Sequence, residues 1–363
     1  MTLKRESRIA GIVPRSYFPY LTGGLEFTAN ILAEELSSQG YGYFVLAKRE
    51  QRGLASLVTR VAAKVRGPYA SKKKLNGYQA VYDQWHPSRA DRFIADANCD
   101  AVVCHLSFNE EGVEVATRAQ KPTMFYLHSK RVEPNLRDAV RQLDRVKLAG
   151  VSEFSCKALE DATGRAATLL TPWLNPRKYF VHSTGQSILV VNPDLKKGGD
   201  IVCEVAALMP ERQFVVAGGW QLQAQTSENR IIEERLAQLE NVTRLGVVGD
   251  MRGLFENAAV LFFPCRQPEA FGRIVAEAHI CGIPTVGTGV GALGTTIGSG
   301  GKVLPLQSSS KDWADALEIV GFRERTLYQE AAFKMADTNT RGYAYYLRTV
   351  DEIFQDLVGE HQM

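Results

Sequence analysis

Two glutamates eight positions apart, Glu269 and Glu277 in "EAFGRIVAEAHICGIPTVGT", have the residue type and spacing to do chemistry. A helix starting near Gly272 would carry Ile274, Ala278 and Cys281 along one apolar stripe. Glu277 falls three residues after the first of these and four before the last, so its carboxylate lies beside the buried face. An unpaired buried carboxylate is costly, so Glu277 needs a partner: an arginine if its role is structural, ligand hydroxyls if it is functional. Glu269 precedes the helix, in the loop after the apolar run "VLFFPC". Ionised carboxylates only accept hydrogen bonds, and two of them suit the hydroxyl-rich face of a sugar or a ribose.

Three further sets of residues stand at turns. Gly23 and Gly24, in "PRSYFPYLTGGLE", open a helix whose free N–H groups and positive dipole end could cradle a phosphate; a tight turn alone would explain them equally well. The dinucleotide spacing GxGxxG is absent there. Lys196 and Lys197, in "VVNPDLKKGGDIVCEVA", precede a second glycine pair and helix, where a lysine can serve a phosphate as a mobile point charge or stay solvated. His105 is the next-to-last residue of the run "AVVCHL" and His128 the last of "TMFYLH", as core histidines at strand ends often are.

The elements that must position these residues alternate from end to end. Short β-branched runs ("RIAGIV", "YFVLA", "AVVCHL", "TMFYLH", "KLAGVS", "ATLLT") are separated by helical patterns such as "LEFTANILAEELSSQG", with Leu25, Ala29, Leu32 and Leu36 at helical spacing and Gly40 as a stop. After the proline-rich "TPWLNPRKYFVHSTGQS" a second set begins: "ILVVN", "QFVVAGG", "VTRLGVV", "VLFFPC", "PTVGT" and "KVLPL". This is the pattern of βαβ units and parallel sheets. The expected fold class is α/β, with two Rossmann-like doubly wound domains facing a cleft, and ligands outside the carboxyl ends of the strands. The domains are expected over 1–172 and 173–340, followed by a C-terminal helix over 341–363 packing back toward the first. That helical pattern runs from about Thr338 to Val358, with Tyr343, Tyr346, Leu347, Val350 and Phe354 at three- and four-residue spacing.

Bulk properties narrow the class. The 363 residues suit two well-buried domains, and 45% apolar with 23% charged residues excludes disordered and fibrous classes. A net charge of +3 is too small to argue for nucleic acid. Six cysteines without a CxxC pair read as reduced packing residues. The opening residues lack the apolar run of a signal peptide and no stretch is long enough to span a membrane, so a cytoplasmic location is expected.

The segment "PEAFGRIVAEAHICGIPTVGT" resembles the E-x7-E signature of retaining GT-B-fold glycosyltransferases of family 4, with Glu269 and Glu277 as its two glutamates. Other pieces stand in that family's order: "TGGLEFTANILAEELSSQGY", "DAVVCHLS", "PTMFYLHS", "AGVSEFSCKAL" and "KKGGDIVCEVAALMPERQFVVAGG". The resemblance covers roughly residues 8 to 320. It implies that Gly23, Gly24 and Lys197 hold the diphosphate of a nucleotide-sugar donor. Glu269 would bind the transferred sugar, beside Ala270, Phe271 and Gly272, and Glu277 the ribose. His128 falls where the family has an active-site histidine near the sugar, and His105 where another lines the cleft. Two positions depart from the pattern. Asn192 stands where an arginine often precedes the lysine by five residues, leaving Lys196 or Arg273 as substitutes, and Gly294 stands where an acidic residue is common.

The implied reaction is transfer of a sugar to a hydroxyl acceptor with retention of configuration. It needs no metal and no cofactor beyond the nucleotide-sugar itself, since no DxD-type carboxylate pair stands in a convincing loop. A sugar-nucleotide epimerase of the same fold and a catalytically silent binding protein are the alternatives; a NAD-dependent enzyme is disfavoured by the missing fingerprint.

One stretch has its own character. "RGLASLVTRVAAKVRGPYASKKK", residues 52–74, has seven basic residues and no acidic one, and Leu54, Leu57, Val58, Val61 and Val65 would share one helical face. Such a helix suits an anionic membrane surface, making the protein peripheral at the inner face, or packs on the sheet with its lysines solvated. Without interleaved aromatics or a recognition motif, no nucleic-acid partner is expected.

Overall fold

The computed structural model describes residues 7–13, 17, 23–48, 71–83, 87–107, 110–218, 226–340 and 342–359. The chain forms two compact units, Met1–Pro172 together with Tyr343–Met363, and Trp173–Gly342.

The first unit is built on strands β1 (Arg8–Val13), β2 (Gly42–Lys48), β3 (Ser71–Lys74), β4 (Gln79–Asp83), β5 (Ala101–Leu106), β6 (Thr123–Leu127), β7 (Val146–Gly150) and β8 (Thr168–Leu169). Their order in the sheet is β3-β4-β2-β1-β5-β6-β7-β8, and every pairing is parallel except β3 with β4. Alternate residues share one face: Ala10 and Ile12, Leu46, Val102 and Cys104, and Phe125 enter a core with Val113, Ala116 and Leu159 from the crossing helices. β5 is buried along its whole length, as a strand covered on both faces must be. The helix Gly24–Ser38 buries Leu25, Ala29, Leu32 and Leu36, the stripe read from the sequence.

The chain returns to this unit at its end. A helix over Tyr343–Val358 buries Tyr346, Val350, Ile353, Phe354 and Leu357. Lys147 on β7 pairs with Asp356, and the ring centroids of Tyr41 and Phe354 lie 6.0 Å apart. The continuous helix expected from Thr338 is two helices, Arg325–Thr340 and Tyr343–Val358, separated where Gly342 takes φ of 74°. A residue in the left-handed region ends a helix, and glycine adopts it at little cost.

The β3–β4 pair is absent from the sequence-based list of strands. β3 is the run Ser71–Lys74, the end of the basic stretch, so these residues form an antiparallel strand and not a helix. Residues 52–70 of that stretch lie outside the described residues. Among the described residues no helix is long and apolar enough to cross a membrane.

The second unit holds β9 (Ser187–Val191), β10 (Phe214–Gly218), β11 (Val242–Val247), β12 (Ala258–Phe263), β13 (Thr285–Thr288) and β14 (Gly301–Leu304), all parallel, in the order β11-β10-β9-β12-β13-β14. β12 shows why: Val260 and Phe262 enter one core with Trp313 and Val202, while Leu261 and Phe263 enter the other with Val275 and Ala278. Each large apolar side chain so buried stabilises the unit by about 1.5–3 kcal/mol.

Both sheets reverse their winding direction once, between β1 and β5 in the first and between β9 and β12 in the second. At such a switch point the loops leave in opposite directions and open a crevice at the carboxyl ends of the strands. Gly23 and His105 belong to the elements flanking the first reversal, Lys197 and Glu269 to the loops flanking the second.

Candidate functional site

The second unit brings Lys197 and Glu269 together. β9 ends at Val191, and Asp194 caps the short turn that follows: its Oδ1 accepts the Lys197 N–H at 2.8 Å and its carbonyl accepts the Gly199 N–H at 2.9 Å. Asp194 is buried, so this corner is set by the protein interior. A side chain at Gly198, which has φ of 79°, would place its Cβ 2.1 Å from the carbonyl oxygen of Pro264. The loops after β9 and β12 therefore touch backbone to backbone. Lys196 completes the seam, its carbonyl accepting the N–H groups of Arg266 and Gln267 at 2.9 and 3.2 Å.

Glu269 is held from the other side by its own backbone. Its carbonyl accepts the Ala292 N–H at 2.8 Å, and its backbone bridges to Gly291. The two loops approach so closely there that a Cβ on Gly291, with φ of 68°, would lie 2.4 Å from that carbonyl oxygen. Thr296 Oγ1 donates to the carbonyl of Phe271, fixing the next turn. The Lys197 ammonium then pairs with the Glu269 carboxylate, over the Phe263 ring at 5.2 Å. The two side chains remain 19% and 25% exposed, so a ligand can reach both. Burial pulls the Lys197 ammonium down, but Glu269 with its neighbours outweighs this and leaves its pKa raised. Cys265, its Sγ 3.7 Å from Glu269 Oε1, stays a neutral thiol, pushed up by burial to about 11.

Glu277 lies in the helix Arg273–Ile280, with Gly272 at its N-cap as the sequence indicates, and is 2% exposed. Val275 takes the deepest place in the stripe and Ile274 is only partly buried. Arg273 Nε lies 3.0 Å from Glu277 Oε1 across one helical turn. The approach lacks hydrogen-bond alignment, and that oxygen keeps unused accepting capacity. Burial raises the Glu277 carboxyl above its ordinary range, and Arg273 offsets part of the shift. Ala270 and Gly272 flank the buried Phe271 between the two glutamates.

Asn192 takes φ of 53° at the end of β9, donates its N–H to the Ala217 carbonyl at 2.8 Å, and buries an Oδ1 that has no hydrogen-bond partner among the described residues. The substitutes for the missing arginine are differently placed: the Lys196 side chain is exposed and Arg273 pairs with Glu277. Arg266, which the sequence reading passed over, is clamped by Asp200 through both carboxylate oxygens. The Asp194 cap was legible as an acidic residue three positions before Lys197 and a glycine pair. Gly294 packs 3.5 Å, measured from a Cβ built on it, from the Gly289 backbone.

In the first unit the Gly23 N–H, offered by the sequence to a phosphate, is taken by Glu26 Oε2 at 2.9 Å. Gly24 is exposed with open space around it. His105 and His128 meet directly, Nδ1 to Nε2 at 2.9 Å. His105 is 1% exposed, and burial lowers its pKa to about 3. All six cysteines are buried free thiols.

Comparison with known proteins agrees with this architecture. Residues 187–320 match the family model described as glycosyl transferases group 1. The D-inositol 3-phosphate glycosyltransferase of Mycolicibacterium gilvum is 27% identical over 179 residues, 48% of this chain and 39% of that protein. The chain thus aligns with well under half the length of that curated relative. Among solved structures, the sucrose-phosphate synthase of Thermosynechococcus elongatus superposes with a TM-score of 0.75 at 15% identity, covering 97% of this chain and 99% of that one. Anabaena HepE, in complex with UDP and glucose, gives 0.73 at 16% identity, over 97% and 100% of the chains. The two parallel-sheet Rossmann-like units are those of GT-B glycosyltransferase structures, with the group 1 segment in the second.

Proposed function

We propose that this protein is a retaining glycosyltransferase that moves a sugar from a nucleotide-sugar donor to a hydroxyl acceptor. The observation that carries this reading is the meeting of Lys197 and Glu269 at the switch point of the second sheet, with Glu277 buried on the helix that follows. A cation for a diphosphate and a carboxylate for hydroxyls stand together and accessible. The match of residues 187–320 to group 1 glycosyl transferases, and the UDP-glucose held by Anabaena HepE, support it.

In this reading the donor's diphosphate draws Lys197 away from Glu269, and the freed carboxylate accepts from the sugar hydroxyls. Glu277, with an oxygen still able to accept, takes the ribose. Gly24 serves the diphosphate through its backbone, and His128 serves the reacting sugar. The bond between the anomeric carbon and the diphosphate oxygen breaks with its electron pair leaving on the diphosphate. The acceptor oxygen bonds the same face of the sugar, and its proton passes to the departing phosphate oxygen. Fixed positive charge and N–H groups at the leaving group stabilise this transition state without a metal.

The test is release of nucleoside diphosphate by the purified protein from a panel of UDP-, GDP-, ADP- and TDP-sugars, with and without lipid or glycan extract. Release from one donor, increased by an extract, is the expected result. Silence across the panel, despite thermal stabilisation by a nucleotide, would replace the reading with that of a binding protein.

A further inference from the structure

The loops 192–198 and 264–272, after β9 and β12, carry three cations: Lys196, Lys197 and Arg266. Arg266 is clamped by both oxygens of Asp200, and the Lys196 side chain is exposed. Lys197 is the one set inside the corner, with its ammonium on Glu269 Oε1 and over the Phe263 ring. Its backbone is fixed by the Asp194 cap, so the four-carbon stem is the part that can swing. The same Glu269 oxygen faces the Cys265 thiol at 3.7 Å, and burial keeps that thiol protonated. Glu269 Oε1 thus has the ammonium as its strong donor and a thiol as its weak one.

Two kinds of ligand group meet this pair differently. A sugar hydroxyl brings no charge to replace that of the ammonium, so it does not displace Lys197 from Glu269 in a corner where both are largely shielded from water. A diphosphate does compete, because it offers the ammonium negative charge on several oxygens. Drawn to phosphate, Lys197 leaves behind a carboxylate only 25% exposed, with the thiol as its neighbouring donor. A carboxylate so underpaired is destabilised, and hydroxyls are donors that relieve it. The phosphate part of a ligand therefore creates the demand that the sugar part fills.

We propose that Lys197 and Glu269 are a specificity-determining pair: Glu269 accepts sugar hydroxyls only when a phosphate group has taken Lys197, so the site rejects free sugars and binds phosphate and sugar cooperatively. That the two parts belong to one nucleotide-sugar rests on the transferase reading; the competition for the ammonium does not. Linkage makes the effect reciprocal, with hydroxyls on Glu269 keeping Lys197 on the phosphate. Once the sugar has been transferred, Lys197 returns to Glu269 and the diphosphate is held less tightly.

Inorganic pyrophosphate is the probe. The readouts are the ¹⁵Nζ signal of Lys197 and the ¹³Cδ signal of Glu269 in the full-length protein, assigned with Lys197→Met and Glu269→Gln. Millimolar pyrophosphate is expected to move both signals together in the wild type and to leave the Glu269 signal in place in Lys197→Met. A Lys197 signal that shifts while Glu269 stays put overturns the proposal, as does no response from either. Glu269→Gln removes the competitor, so its pyrophosphate affinity in calorimetry should not fall below that of the wild type. Weaker binding would mean that Glu269 holds the ammonium ready for phosphate, the opposite of the proposed role. These two tests stand whether or not Lys197→Met folds. For the donor found by the release assay, the parent monosaccharide should bind at least about tenfold more tightly with its nucleoside diphosphate present, a factor lost in Lys197→Met. Equal affinity with and without the nucleotide would contradict the coupling. Concerted signal shifts in a protein silent toward every nucleotide-sugar leave the competition standing and remove the transferase. Nucleoside diphosphate release with an unmoved Glu269 signal does the reverse.

Discussion

The Lys197 ammonium and the Glu269 carboxylate, 72 positions apart in the chain, are in direct contact at the carboxyl ends of β9 and β12. Each neutralises the other, and in the transferase reading proposed above the donor's diphosphate and hydroxyls replace that contact. Removing either partner therefore affects a different half of the ligand. Glu269→Ala is expected to lower turnover by on the order of 10²–10³-fold while nucleotide affinity holds within a few-fold, because Lys197 is left free for the diphosphate. Lys197→Ala is expected to do the reverse first, weakening nucleotide binding in calorimetry. An unchanged rate in Glu269→Ala would remove that residue from the sugar.

The same pair sets an alkaline limit. Its folded pKa being raised above 10.5, Lys197 contributes stability that is complete below that value and is lost as pH climbs through the raised one. The difference in unfolding free energy between the wild type and Lys197→Met should stay flat through neutral pH and decline only above about 10.4. A difference that already falls near neutrality would contradict the contact.

Glu277 has the opposite sign from an ordinary paired carboxylate. Its folded pKa lies above 4.5, so the ionised form costs stability above the raised value and the cost vanishes as pH falls below 4.5. Glu277→Gln is therefore expected to raise Tm near neutral pH, with a gain that shrinks to nothing toward about pH 4, while nucleotide affinity drops. A lower Tm at neutral pH would mean that Arg273 more than offsets the burial.

Gly291→Ala tests how Glu269 is held. The substituted residue must keep φ of 68° with its Cβ 2.4 Å from the Glu269 carbonyl oxygen, or the loop must move. The strain is worth about 1–3 kcal/mol, visible in Tm, and the displaced carboxylate should lower kcat more than nucleotide affinity.

His279, fully buried on the same helix as Glu277, governs the acid side. Burial lowers it from 6.5 to about 3, so the unfolded chain takes up its proton first and stability declines as pH falls from about 6.5 toward 3. Urea unfolding at stepped pH should show a shallower decline in His279→Leu, with His105 responsible for part of what remains.

Much of this was legible in the residues, for reasons that differ from place to place. β9, β12 and β13 declared themselves as β-branched and aromatic runs because both faces are buried. Glu277 could be placed beside a core by helical spacing, and its partner Arg273 stands one turn away. The β3–β4 pair stayed hidden because "SKKK" and "QAVYD" are too polar and short to show alternation. The Lys197 contact with Glu269 depends on sheet order, which places β9 beside β12 across a long intervening segment. The meeting of His105 with His128 depends on register, and the capture of the Gly23 N–H by Glu26 on a side-chain conformation three residues away.

The return of the last helix to the first unit has a consequence for biosynthesis. Residues 173–342 form one uninterrupted stretch and can mature as they leave the ribosome. The first unit, though its strands are translated first, lacks the layer supplied by Tyr346, Val350 and Phe354 until the helix Tyr343–Val358 emerges. The apolar surface that those side chains cover is thus exposed throughout synthesis of the second unit, and a message truncated before Tyr343 yields a product in which it is never covered.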